Sequence, residues 1–374
     1  MKKRLKRVFI ANRGEITRRI AISAHRLGIE TACVVEKKLP AYLCGLIDHP
    51  ICLEKLHRNL FLHRKALCQL AKENACDAIH PGFGFLAEDA SFAQLVLDSG
   101  MIWVGPSPQV IELMADKSTA RNVASKIGIP CLQGLENFTL KTKEDHQKLD
   151  AFSQKAPFPL LIKAAFGGGG KGMRIVETKD ELKEAISRAQ SEAFNSFGHE
   201  TLLIEPYLKD VRHVEVQLLG DHKGNVLALG TRDCSLQRRH QKIIEECPAP
   251  NLPLPLSKKM LASAKQLGTH VGYQSAGTVE FLVPVKGSSC TPLSSFYFLE
   301  MNTRLQVEHP VTEEVFGVDL VEAQFQIASH APLEENILSA SPRGHSIEAR
   351  IYAEDTCREF LPSPGSSIGF SPPQ

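Results

Sequence analysis

Apolar and polar positions alternate most clearly late in the chain. Phe296, Phe298 and Leu299 read as a strand running into Glu300-Met301-Asn302, and because strand side chains point alternately to opposite faces, Glu300 and Asn302 share one face. A second apolar run, Gly277 to Val283, stops at Pro284 and is joined to the first by a Gly/Ser/Pro-rich segment. This pattern predicts two antiparallel neighbours that set Glu280 beside Glu300. At the other end of the chain, Arg7 to Ala11 reads as a strand, Asn12-Arg13-Gly14 as a turn, and a helix follows with Ile16, Ile20, Ala24 and Leu27 on one stripe. Thr31 to Val35 is a second buried strand. Together these open a βαβ unit and so a doubly wound sheet.

Residues 36 to 58 have weak periodicity and predict no element. A helix is predicted from Asn59 to Asn74, then a strand at Asp77-Ala78-Ile79 and the turn His80-Pro81-Gly82-Phe83-Gly84-Phe85-Leu86. Its two glycines let the backbone approach a ligand or a neighbouring helix closely, with a plain βα connection as the alternative. Met101 to Pro106 is another strand and stop. One helix is predicted from Pro108 to about Ile127, carrying Lys117, which on spacing alone is a surface lysine. A helix from Thr142 to Ser153 precedes a strand ending in Lys163, the glycines 167–170 and a return strand. Glycine N–H groups flanked by lysines can fold over phosphate oxygens, although a bare glycine hairpin tip is the alternative. The P-loop pattern is absent, and so is G-x-G-x-x-G in the first βα turn.

A helix from Glu181 to about Asn195 leads to Leu202–Leu208, a strand running into a turn. There Pro206 keeps its C=O and Leu208 its N–H, a pairing that suits the edge of adenine. His213 to Leu219 alternates, with His213, Glu215 and Gln217 on one side. After a strand at Val226–Thr231, the basic run Arg232 to Lys242 stands without other basic clusters and is followed at once by Glu245-Glu246, so an internal anion site fits better than a nucleic-acid face. Ser257–Val271 and Val311–His330 are predicted helices, and 344–355 is a strand with Arg350 in alternation with Glu348.

Two carboxylates and an amide oxygen converging at Glu280, Glu300 and Asn302 repel unless a cation lies between them, and hard oxygens suit Mg²⁺ or Mn²⁺. A solvated hairpin face is the bland alternative. Just beyond, Arg304, Gln306 and Glu308 add a fixed cation, an amide and a candidate base. Composition changes this picture little. With 374 residues, 43% hydrophobic and 23% charged, the chain reads as a globular protein of two or three domains. A net charge of +2 gives no global attraction to nucleic acid or to an anionic membrane. Ten cysteines without a C-x-x-C pair indicate neither a zinc ribbon nor a disulfide framework. The basic start, 1–7, is followed by too short an apolar run for a secretory signal, which predicts a cytoplasmic protein.

Seven motifs in this order carry a resemblance: Ala11-Asn12-Arg13-Gly14-Glu15-Ile16; the turn 80–86; the glycine stretch; Arg232-Asp233-Cys234-Ser235 with Gln237–Lys242; Gly277–Phe281; Glu300 to Glu313; and Phe360–Gly365. The chain resembles the ATP-grasp superfamily and, within it, biotin carboxylase. The resemblance implies an α/β and α+β fold with a doubly wound (Rossmann-like) domain at 1–116, an ATP-grasp domain at 117–342 with a glycine-rich flap at about 134–206, and at 343–374 the start of an incomplete C-terminal domain. It implies ATP binding by Lys117, Lys163, Gly169, Gly170, the hinge Glu205-Pro206-Tyr207-Leu208, His213, Gln237 and His240. Two Mg²⁺ or Mn²⁺ ions would lie on Glu280, Glu300 and Asn302. Lys242, Arg304, Gln306 and the backbone of Val307 would hold bicarbonate, and Glu308 would deprotonate it for attack on ATP. Phosphate from the resulting carboxyphosphate would take the N1 proton of biotin, and Arg350 would stabilise the ureido anion. The implied partners are a biotin carboxyl carrier protein, carboxyltransferase subunits and a second copy of the chain; no nucleic acid or membrane is expected.

The sequence departs from the family pattern at Phe83, at Phe166, over 36–58 and in an insertion at 286–295, and the family continues past the position of Pro373. With that remainder absent, the last strands are expected to lack sheet partners. Two other readings are an inactive, shortened paralogue that acts as a binding partner, and another ATP-grasp ligase.

Overall fold

The structure is a computed structural model that describes residues 5–55, 59–165, 173–239, 241–285, 296–363 and 365. The N-terminal part comprises β1 (Arg7–Ile10), α1 (Glu15–Arg26), β2 (Glu30–Glu36), β3 (His49–Leu53), α2 (Arg64–Glu73), β4 (Ala78–His80), α3 (Ala90–Asp98), β5 (Ile102–Trp103) and α4 (Pro108–Ala115). Its sheet is wholly parallel in the order β3-β2-β1-β4-β5. The stripe on α1 buries Ile16, Ile20 and Ala24, whereas Leu27 falls at the helix end and is partly exposed. Strand β3 lies in the stretch where the sequence predicted nothing. It is an edge strand with no fully buried residue, and it tolerates Pro50, so its periodicity is faint.

Next come α5 (Lys117–Lys126), β6 (Leu135–Phe138), α6 (Lys143–Lys155), β7 (Leu160–Ala164), β8 (Arg174–Val176), α7 (Leu182–Phe197) and β9 (Leu202–Pro206). Here the strands form an antiparallel sheet in the order β6-β9-β7-β8, whose core includes Leu149 of α6 and Ile186 and Ala189 of α7. The last part holds β10 (Val211–Gly220), β11 (Val226–Arg238), β12 (Gln241–Cys247), α8 (Leu254–His270), β13 (Ser275–Pro284), β14 (Tyr297–Asn302), α9 (His309–Phe316), α10 (Leu320–Ala328), α11 (Glu335–Leu338), β15 (Ser346–Ala349), β16 (Glu354–Asp355) and β17 (Leu361–Pro362). Its main sheet is antiparallel, ordered β14-β13-β10-β11-β12-β15. One apolar core joins the two large sheets: Ile10, Ile16 and Ile20 pack in the same cluster as Leu219, Ala276, Leu305 and Phe325.

Four expectations need correcting. The helix predicted over 108–127 is two helices, because Asp116 leaves the helical backbone (φ −84°, ψ 112°) and its carboxylate caps α5 by accepting from the N–H groups of Ser118 and Thr119. The helix predicted over 311–330 is likewise broken, with Gly317 in the left-handed conformation (φ 64°) ending α9 and Asp319 capping α10. In both, an apolar stripe continues in sequence across a polar cap. The strand predicted over 226–231 runs on through most of the basic run to Arg238 as β11, and Gln241 and Lys242 open β12. Finally, the late strand does find a partner. β15 pairs antiparallel with β12, and Ile347 remains 63% exposed on this edge strand.

Among the described residues no helix is long and apolar enough to cross a membrane. Because Asp116 caps the helix that carries Lys117, Asp116→Ala is expected to lower unfolding stability by about 1 kcal/mol in a urea titration, with Asp116→Asn recovering most of the loss.

Candidate active site

Three neighbouring strands set carboxylates side by side. In register, Glu300 of β14 faces Glu280 of β13, and Glu280 faces Glu215 of β10, whose other neighbour is Arg232 of β11. Like charges directly opposed across strands destabilise a sheet unless cations lie among them. Lys242 supplies the central one: its Nζ donates to Glu215 at 2.6 Å, to Glu280 at 2.8 Å and to Glu308 at 2.7 Å. Burial works against the ammonium, but these three carboxylates outweigh it and hold the Lys242 pKa well above the ordinary lysine value. Burial also raises Glu280, yet Lys242 and His213 leave it far below the usual carboxylate range.

Below this row Arg232 is fully buried, and each of its three guanidinium nitrogens is bonded. Nε donates to Glu215 at 2.5 Å, Nη1 to Gln217 at 2.6 Å and to Thr312 at 2.9 Å, and Nη2 to Thr278 at 3.0 Å. Of the basic run, then, Arg232 is structural and Lys242 faces the cluster. Arg238 and Arg239 instead reach the C-terminal hairpin, pairing with Glu354 and Glu359. On the predicted face of β10, His213 Nε2 lies 2.7 Å from Glu280, and Gln237 Nε2 lies 2.9 Å from His213 Nδ1. Burial lowers the His213 pKa, but the Glu280 charge leaves it net raised.

The loop after β14 continues the cluster. Arg304 donates from Nε to Glu88 at 2.8 Å, from Nη1 to Gln306 at 2.9 Å and from Nη2 to Asn302 Oδ1 at 3.2 Å. Asn302 and Gln306 both donate their amide nitrogens to Glu280, at 2.8 and 3.2 Å. Asn302 therefore turns its oxygen to Arg304 and would have to flip its amide to offer that oxygen to a cation. Val307 and Glu308 lead into the N-terminus of α9, where unpaired N–H groups favour anions. Glu308 is fully buried and receives Lys242 on one oxygen and, at 2.9 Å, Arg350 Nη2 on the other. Arg350 sits one residue past β15 and is fixed by its N–H to Ile243 O and by Nε to Glu245 at 2.6 Å.

Helix α5 ties the second group of predicted residues to the first. Lys117 and Arg121, one turn apart on the same face, reach Glu300 at 3.1 Å and Glu205 respectively. Glu205 is buried, and its other oxygen lies 2.5 Å from Lys163 Nζ. Lys163 and the acidic hairpin thus lie along one side of α5. The Glu205 carboxylate is engaged by the two cations, and its backbone pairs with Leu161 of β7. In the hinge, the Tyr207 N–H is taken by Pro159 O at 2.8 Å, and among the described residues that of Leu208 has no backbone partner. Gly169, Gly170 and His240, and the insertion 286–295, lie outside the described residues.

Four residues that build the site were given no role by the sequence. Glu88 clamps Arg304 and also accepts from the Thr303 N–H at 3.0 Å, carried there by the turn that Asn12 pins through Pro81 O and Phe83 O. Gly82 (φ 65°) is required in that turn, since a Cβ there would press on Asn12 and Ile16 at 3.0 Å. Arg121 lies four residues beyond Lys117, a visible spacing. Glu215 was visible in the alternation of β10, and Glu245 meets Arg350 only because β12 pairs with β15.

The chain is similar in sequence and fold to known proteins. The family described as "Biotin carboxylase, N-terminal domain" matches residues 4–111, and "Carbamoyl-phosphate synthase L chain, ATP binding domain" matches residues 116–336. A biotin carboxylase from Campylobacter jejuni, solved as an ATP complex, superposes with a TM-score of 0.89 at 40% identity, covering 99% of this chain and 81% of that one. The biotin carboxylase domain of the Hydrogenobacter thermophilus 2-oxoglutarate carboxylase, solved as a dimer with MgADP, ADP and bicarbonate, gives 0.87 at 37% identity, covering 97% of this chain and 80% of that one. Rice mitochondrial methylcrotonoyl-CoA carboxylase subunit alpha is 44% identical over 370 residues, which are 98% of this chain and 49% of that protein. The chain thus spans about half the length of that curated relative. With these likenesses running from end to end over the described site, the chain belongs to the biotin carboxylase family of ATP-grasp proteins.

Proposed function

We propose that the chain carries the ATP-dependent carboxylation of biotin by bicarbonate, the first half-reaction of a biotin-dependent carboxylase. The observation that carries this reading is Glu308, a buried carboxylate gripped by Lys242 and Arg350 beside Arg304 and Gln306. A planar anion needs donors from several sides, and Lys242, Arg304, Gln306 and the backbone of Val307 supply them. Each Glu308 oxygen has a second lone pair for a proton.

In the proposed reaction Glu308 takes the bicarbonate proton, and the bicarbonate oxygen attacks the γ-phosphorus as the bond to the ADP oxygen breaks. Carboxyphosphate then splits into CO₂ and phosphate. Phosphate removes the N1 proton of biotin, N1 attacks CO₂, and Arg350 stabilises the ureido oxygen. Catalysis of this kind is positioning and charge neutralisation. Lys117, Lys163 and His213, with Gln237 holding His213, support the phosphate end, and the Leu208 N–H and Pro206 C=O support the adenine. Gly169, Gly170 and His240 join this set on the resemblance alone. Glu280 and Glu300, opposed in register, fit Mg²⁺ or Mn²⁺, which would neutralise phosphate charge there; Asn302 joins them once its amide turns.

The domain limits at 116/117 and 342/343 belong to the same proposal, as do a carrier-borne biotin, carboxyltransferase partners, a homodimer and a cytoplasmic site. The final acceptor is an acyl-CoA on the rice relative's pattern, with acetyl-CoA, and hence fatty acid synthesis, as one such case.

Purified protein is expected to hydrolyse ATP only with bicarbonate and faster with free biotin. Arg304→Ala and Glu308→Gln should each lower that rate by about 10² to 10³ while leaving the circular dichroism spectrum unchanged. ATP turnover by folded protein that ignores both bicarbonate and biotin would overturn the proposal and favour another ATP-grasp ligase. Glu88→Gln, which keeps the shape but removes the charge that orients Arg304, is expected to raise the bicarbonate KM about tenfold with a smaller change in kcat.

A further inference from the structure

We propose that Glu245 and Glu348 hold one proton between them, and that this carboxylic acid–carboxylate pair positions Arg350 against Glu308. The role at Glu308 rests on the function proposed above; the pair itself does not. In the β12–β15 ladder Glu245 and Glu348 are direct cross-strand partners, which places their side chains on one face with Cβ atoms about 5 Å apart. Glu245 Oε1 is taken by Arg350, but Glu245 Oε2 and Glu348 Oε2 are both buried and have no partner among the described residues. An oxygen of that kind is costly unless something donates to it. Among the described residues the charged groups that face Glu348 are Glu245 on β12, Glu308 ahead of α9, Arg350 beyond β15 and, further off, Arg232 on β11. The guanidinium of Arg350 is directed at Glu245 and Glu308, and that of Arg232 is directed at Glu215, Gln217, Thr278 and Thr312. His345 is 3.0 Å from Glu246, whose side chain points to the opposite face of β12.

Two carboxylates so placed cannot both ionise cheaply, and a proton shared between them satisfies both oxygens at once. Burial, reinforced by Glu245 and Glu308, raises the Glu348 pKa to about 8, and burial also raises Glu245. At neutral pH, Glu348 is therefore the protonated member and donates to Glu245. The ionised Glu245 then holds Arg350 Nε, which leaves Nη2 on Glu308. Loss of the proton above about pH 8 adds a negative charge beside the anion site and should weaken bicarbonate binding.

The test is an infrared-monitored pH titration of the whole protein, wild type against Glu348→Gln. Wild type is expected to lose one protonated-carboxyl band between about pH 7 and 9, and Glu348→Gln, which keeps a donor but cannot titrate, to lack that band. A wild-type spectrum with no carboxyl proton above pH 7 overturns the proposal, whether or not the variant folds, and so does an identical titration in a folded variant. In activity, the wild-type bicarbonate KM should rise towards about tenfold per pH unit above that midpoint and stay flat in Glu348→Gln; parallel rises in both deny the pair its role at Arg350. If no bicarbonate-dependent turnover exists at all, the proposed function fails and the infrared result still decides the pair.

Discussion

A single ammonium group, that of Lys242, stands within hydrogen-bonding reach of three buried carboxylates and so allows them to converge. Taking each ion out of water costs several kcal/mol, and only close, well-directed pairing offsets that. The pairing here is dense: Glu215, Glu280 and Glu308 on Lys242, Glu215 again on Arg232, and Glu280 again on His213. Such a cluster is a poor source of stability compared with apolar packing. In the proposed function it fixes, before any ligand arrives, where bicarbonate finds positive charge and which carboxylate takes its proton.

The rest of the fold holds that cluster from several directions. The antiparallel sheet supplies the register that aligns Glu215, Glu280 and Glu300. The parallel N-terminal sheet contributes through one turn, which delivers Glu88 to Arg304. Helix α5 links the sheets on the other side, with Lys117 on Glu300 and Arg121 on Glu205. No single sheet contains the cluster and its supports; they meet where the elements are packed together.

The features most legible in the sequence were those set by strong local periodicity. The Glu280–Glu300 pairing followed from two alternating strands with a turn-rich join, and the face shared by His213, Glu215 and Gln217 from alternation alone. Helix breaks at Asp116 and 317–319 were hidden because apolar positions keep their helical spacing across the cap. Strand β3 was hidden because an edge strand buries little. The partners of the catalytic candidates were the least visible: Glu88 is more than two hundred residues from Arg304 in sequence, and Glu245 meets Arg350 only through a strand pairing that no local pattern encodes. Single charged residues become legible as a site only when tertiary contacts bring them together.

In the proposed reaction Glu308 and Arg304 direct a bicarbonate oxygen at the γ-phosphorus of ATP. The most direct measurement is the fate of that oxygen when turnover is run with oxygen-18 bicarbonate in unlabelled water. Phosphate is expected to carry one labelled oxygen for each ATP cleaved, because carboxyphosphate keeps the bridging oxygen on phosphorus when it breaks down. Phosphate that takes its new oxygen from water alone would contradict it.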